Sequence, residues 1–174
     1  MTSSEKAVKR SFRVSKHGIE GLEQIAKERN VNTNTIVREI IDQYVDYEYV
    51  CTKIKICNVD VTVIRFMADH VPKEELIAFA KDYAHSIEGG LNLGTSREQS
   101  FEYIMNQLRI FCKYNSMKLI ETTHDSKKIA IIIHEAGLNW SEFNANYYKT
   151  LFESAGVPMD YSVDENAVVL KFQS

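Results

Sequence analysis

Residues 8–49 open with Val8-Lys-Arg-Ser-Phe-Arg-Val-Ser15, continue through Ile19-Glu-Gly-Leu22-Glu-Gln-Ile25-Ala26 to Arg29-Asn-Val-Asn32, and pass into Ile36-Val-Arg-Glu-Ile-Ile41 before Tyr44 and Val45. Side chains along a strand alternate between two faces. As a strand, Val8 to Ser15 therefore places Phe12 and Val14 on one face and Lys9, Ser11 and Arg13 on the other. Ser15 suits an N-cap, and Ile19, Leu22, Ile25 and Ala26 follow at helical spacing to a stop at Asn30. A second helix begins at Asn32-Thr-Asn-Thr and carries Ile36, Val37, Ile40, Ile41, Tyr44 and Val45 on one stripe toward Tyr49. Strand, helix, turn and helix in this order leave the strand edges and both apolar stripes uncovered. Pairing with a second chain covers both.

Charge is placed unevenly around this segment. Between Met1 and His17 the bases Lys6, Lys9, Arg10, Arg13 and Lys16 face a single acid, Glu5, although the whole chain has 21 Lys+Arg against 24 Asp+Glu. A basic arm on an acidic body points to a polyanion contact at the N-terminal end.

These residues resemble the ribbon-helix-helix family of DNA-binding proteins, over residues 8–48 and without a gap. The resemblance implies a homodimer in which two strands pair antiparallel and enter the major groove of double-stranded DNA. The family's base-reading positions then fall on Lys9, Ser11 and Arg13, and its phosphate clamp falls on Asn32, Thr33 and Asn34. Arg and Lys suit guanine O6 and N7, Ser serves either base class, and a helix N-terminus favours an anion. The sequence departs from the commonest pattern by having Ser15 where Pro is frequent and Asn32 where Ser or Thr often caps.

Beyond Tyr49 the patterns predict a different kind of unit. Lys53 to Cys57 alternates as a short strand, and Val63, Phe66, Met67 and His70 follow a helical stripe. Pro72 opens a helix to about Ser86 that stops at Gly89-Gly90, and Leu91 to Thr95 is a loop. Ser96 with Gln99 is a capping box for a helix reaching Asn115. Met117–Thr123 and Lys127–His134 read as a hairpin around residues 124–126. Asn139 with Glu142 caps a helix ending at Gly156, and two strands flank the turn Asp164-Glu-Asn166. The expected fold class is α+β. Residues 1–49 form a ribbon-helix-helix DNA-binding and dimerisation domain. Residues 50–174 form an α+β sensory or oligomerisation domain, its antiparallel sheet covered by helices on one face. In architecture this resembles the nickel-responsive repressors, but their His-x-His and Cys ligand pattern is missing, so no metal is carried over.

Composition narrows the function classes. With seven Gly and two Pro there is little material for phosphate-cradling loops, and no Gly-Lys-Ser/Thr or Gly-x-Ser-x-Gly occurs. His134-Glu135 is not HExxH because position 138 is Leu. No motif supports an enzyme, and the sequence leaves any cofactor unknown. Apolar runs are too short for a membrane span, and Cys51, Cys57 and Cys112 fit a reducing compartment as small hydrophobes, so a cytoplasmic protein is expected. His134, Gly137 and Trp140 could line a pocket mouth for a small anion or polar metabolite, an effector. The expected function is a homodimeric, sequence-specific transcriptional regulator. The alternative is an antitoxin-like module that binds a protein partner and regulates itself through DNA, although such proteins usually carry disordered tails.

Overall fold

The computed structural model describes residues 9–54, 59–88, 96–124 and 127–173. The chain divides into two compact units, Met1–Val50 and Cys51–Ser174. Among the described residues no helix is long and apolar enough to cross a membrane.

In the first unit, α1 (Lys16–Glu28) starts at Ser15, whose Oγ accepts the Gly18 amide at 3.1 Å. It stops where Asn30 turns to a φ of 52°, a conformation Asn tolerates. α2 (Thr33–Gln43) starts at Asn32, whose Oδ1 accepts the Thr35 amide at 2.9 Å. A π-helical turn (Tyr44–Glu48) and α3 (Tyr49–Ile54) follow without a break. The turn's five-residue spacing aligns the Gln43 amide with Glu48 at 2.8 Å and the Tyr44 and Tyr49 rings at 6.3 Å. Arg29 holds Glu39 with two hydrogen bonds, of 2.6 and 3.3 Å. Only Ala26, Ile36 and Tyr47 are buried among the described apolar residues of this unit.

Two sequence expectations need correction here. Residues 9–15 form no strand, because a strand is held by hydrogen bonds to a neighbour and one copy of the chain supplies none. Lys53 and Ile54, expected in a strand, close α3 instead, and 55–58 lie outside the described residues.

The second unit is α+β. α4 (Val61–Asp69), α5 (Lys73–Glu88) and α6 (Arg97–Tyr114) precede β1 (Lys118–His124) and β2 (Lys127–Ile133). α7 (Leu138–Ser154) then leads to β3 (Met159–Asp164) and β4 (Ala167–Phe172). The sheet is antiparallel with order β1-β2-β4-β3. Ser96 caps α6 by accepting the Gln99 amide at 3.2 Å. The Gly89-Gly90 stop, the 91–95 loop and the 125–126 tip lie outside the described residues.

Burial follows the alternation of the strands. Ala130, Ile132, Val168, Leu170 and Phe172 meet Leu108 and Cys112 from α6 and Tyr148, Leu151 and Phe152 from α7 in one core. Phe152 has no exposed surface and packs edge-on to Phe172 at 4.7 Å. The opposite side of α7 joins Ala68, Leu76 and Ala80 through Phe143, which stacks between Trp140 (4.7 Å) and Tyr147 (6.3 Å). α7 thus fastens both layers.

Its start corrects the expected Asn139/Glu142 capping box. The helix begins after Gly137, with no side-chain cap. Gly137 has φ 84° and ψ 172°, a region open essentially to glycine alone. Asn139 instead donates to the Ala68 carbonyl at 3.3 Å and Glu142 receives Lys73 at 2.6 Å, so both residues tie α7 to its neighbours rather than to its own amides.

Candidate nucleic-acid interface

The basic arm has no regular secondary structure and is accessible where it is described. Lys9, Arg10, Ser11 and Arg13 are all exposed. So are the two apolar residues on either side of Arg13: Phe12 keeps 73% of its surface and Val14 52%. Lys6 lies outside the described residues. Among the described residues no acid pairs with Lys9, Arg10, Arg13 or Arg38, whereas Lys16 meets Glu20 at 3.7 Å and Arg29 meets Glu39. The four unpaired bases leave cationic charge uncompensated at the arm and on α2.

The second half of the candidate interface is the start of α2. Asn32 spends its side-chain oxygen on the Thr35 amide and hydroxyl, at 2.9 and 3.2 Å. The Thr33 and Asn34 amides belong to the first helical turn, which has no carbonyl behind it to accept them. An open hollow of about 350 Å³ lies at this end, lined by Asn32, Asn34, Thr35 and Arg38. Helix dipole, free amides and a guanidinium one turn further on all favour a phosphate there. Sequence reasoning had named Asn32, Thr33 and Asn34 but missed Arg38. The signal was available, because position 38 is one helical turn beyond Asn34 on the same face.

No protein-family model matches the chain, and no curated protein matches it. The functional reading therefore rests on these residues and their geometry.

The second candidate site is only partly assembled. His134 and Gly137 are joined through the β3–β4 turn: the His134 amide donates to the Asn166 carbonyl at 2.9 Å and the Gly137 amide to the Asn166 side-chain oxygen at 3.2 Å. Trp140 belongs to the aromatic stack on Phe143 instead. The His134 ring is buried with both nitrogens used. Its Nδ1 accepts the Ala136 amide at 3.1 Å, so Nε2 carries the proton and donates to Ser141 Oγ at 3.0 Å. Ser141 in turn donates to the Asp164 carbonyl at 2.7 Å.

This proton order is the reverse of a nucleophilic dyad, in which the imidazole accepts from the hydroxyl. Burial holds the His134 pKa below its ordinary value of 6.5. The network fastens the end of β2, the first turn of α7 and the β3–β4 turn together. Burial also pushes the Cys112 thiol up to about 12, which keeps it a packing group. Among the described residues no cluster of three or more His, Cys, Asp or Glu residues could hold a metal ion.

Proposed function

We propose that the chain is a homodimeric, sequence-specific DNA-binding regulator of the ribbon-helix-helix type, with the carboxyl-terminal unit regulating or reinforcing assembly. The observation that carries this reading is the exposure of Phe12 and Val14 on a segment whose other side chains, Lys9, Arg10, Ser11, Arg13 and Ser15, are basic or hydroxylic. Leaving two apolar residues in water is unfavourable, and burying each in a paired ribbon stabilises by about 1.5–3 kcal/mol. Pairing the two segments antiparallel buries Phe12 and Val14 against the helices. The same pairing turns Lys9, Ser11 and Arg13 toward the major groove, which admits a two-stranded ribbon.

The α2 hollow then receives a backbone phosphate beside the groove, which fixes register without reading sequence. Ile40, Ile41, Tyr44 and Val45, each 46–61% exposed, supply the remaining apolar surface for the partner helix. Selection of a preferred duplex from random DNA by the full chain, followed by binding with Arg13→Ala, tests the proposal. Arg13→Ala should cost about 1–3 kcal/mol and relax the preference at one base position. Unchanged affinity and preference would remove the strand from the reading role.

A further inference from the structure

The sheet has a second face that the core does not use. Residues directly opposite in antiparallel strands share a face, and the register places Leu119, Ile132, Val168 and Val163 together on the side of the core. The alternate row, Ile120, Ile131, Val169 and Ser162, lies on the other side. Its three apolar members belong to neither buried cluster. Both helices that pack on the sheet, α6 and α7, do so through the core side. The outer face is therefore aliphatic at its centre, and Ile133 at one end is 38% exposed. No aromatic ring stands in these central rows, which disfavours a single-stranded nucleic acid as occupant, since such ligands are held by stacking.

The β1 edge of this face carries Lys118, the β3 edge carries Asp160 and Asp164, and β4 carries Lys171 directly beside Asp160; all four are exposed. Lys118 and Asp164 stand in the same row, at its opposite ends, with Ile133 and Ala167 between them. A two-fold rotation about an axis running along the strands, midway between β2 and β4, lays β1 of one sheet over β3 of another and leaves every row at its own level. Lys118 then meets Asp164 twice, Thr122 meets Asp160 twice and Ile131 meets Val169 twice, while Lys171, beside Asp160 of its own copy, lies over Ile129. Self-complementarity of this kind is what a closed two-fold interface requires.

We propose that the open face of the sheet docks a second copy of this chain, seated face to face about that axis, with Lys118 of each copy against Asp164 of the other. The two sheets pack at the usual spacing of about 10 Å with their mean strand directions aligned, as an axis along the strands requires. The surface is separate from the N-terminal pairing and does not depend on it.

The full chain carrying Lys118→Cys and Asp164→Cys, treated with a bismaleimide spanning roughly 10 Å, tests the arrangement. Within one copy the two positions are three strand spacings apart, about 14 Å, and a bridge inside one chain yields no dimer. Cys51, Cys57 and Cys112 are present in every sample, so each single variant measures the background. The double variant is expected to give at least tenfold more covalent dimer than either single variant. An equal yield overturns the proposal and leaves the face to a different protein. A charge exchange provides a check that does not depend on cross-linking: Lys118→Glu lowers self-association several-fold in sedimentation, and adding Asp164→Lys restores it. Failure of the second change to restore it also overturns the arrangement.

Discussion

The two units of this chain use helices of the same general kind and reach opposite outcomes. In the carboxyl-terminal unit, α7 buries Tyr148, Leu151 and Phe152 against the sheet and Phe143 against α5. In the N-terminal unit, α1 and α2 bury one side chain each, Ala26 and Ile36, while Ile19 and Ile25 remain 39% and 42% exposed. The difference lies in what each unit can place opposite its apolar stripes. The carboxyl-terminal unit has four strands and several helices and closes its own core. The N-terminal unit has, among its described residues, α1, α2, the π-helical turn with the start of α3, and a segment without regular structure, too little to close one. Its completion has to come from outside, which is why the proposed DNA-reading surface and the proposed dimer are one and the same device.

The largest effect expected from this contrast is on the closed core. Phe152→Ala should destabilise the carboxyl-terminal unit by about 3–5 kcal/mol, because a fully buried ring between Phe101 and Phe172 leaves a cavity that the sheet cannot collapse into. Chemical denaturation of the full chain measures it. Phe12→Ala in the N-terminal unit should behave differently, weakening dimerisation with little change in the unfolding of the second unit. A dimer dissociation constant raised tenfold or more in sedimentation corresponds to about 1.4 kcal/mol or more. Equal effects of both changes on one cooperative transition would break the comparison.

The His134 network sharpens it from the side of the closed unit. With its folded pKa held below 6.5 by burial, His134 stays neutral in the native state while the unfolded chain takes up a proton. This contribution to stability is present above the unfolded value and is lost as pH falls from about 6.5 toward the depressed folded value. His134→Gln should flatten that acid-side slope and cost about 1–3 kcal/mol at neutral pH, the cost of leaving buried partners unsatisfied. Stability curves against pH for the two proteins provide the measurement.

Much of the carboxyl-terminal architecture could be read from periodicity, and the reasons are local. Val168, Leu170 and Phe172 alternate without interruption, and Ser96 sits three residues before Gln99. What could not be read was decided by tertiary contacts. Asn139 and Glu142 have capping-box spacing, but Gly137 offers an earlier start and α4 and α5 compete for both side chains. His134, Gly137 and Trp140 are close in sequence, yet the first two face the β3–β4 turn and the third faces α5. Lys53 and Ile54 alternate too briefly to outweigh the helix running into them. In the first unit the helix caps at Ser15 and Asn32 were evident from residue type, whereas the alternation of residues 9–15 forms no strand in a single copy, which offers it no hydrogen-bonding neighbour. Arg38 was overlooked because it reads as one more solvated base until the hollow at the start of α2 is seen.

Arg38→Ala should weaken binding to all duplexes alike and lower the salt dependence by about one phosphate contact, in contrast to the position-specific loss for Arg13→Ala. Titrations at several salt concentrations separate the two. The smallest effect belongs to the Arg29–Glu39 pair, whose side chains are 52% and 44% exposed. Glu39→Gln should change stability by about 1 kcal/mol or less, the range for pairs in water.

Hydrogen exchange at the amides of residues 9–15 in the full chain, followed from nanomolar to high micromolar concentration, tests the central claim most directly. An antiparallel ribbon between two copies protects alternate amides of this segment, and the protection should appear together with the dimer as concentration rises. Exchange at the rate of a free peptide at every concentration would contradict the account, since the segment would then have no partner strand and Phe12 and Val14 no place to go.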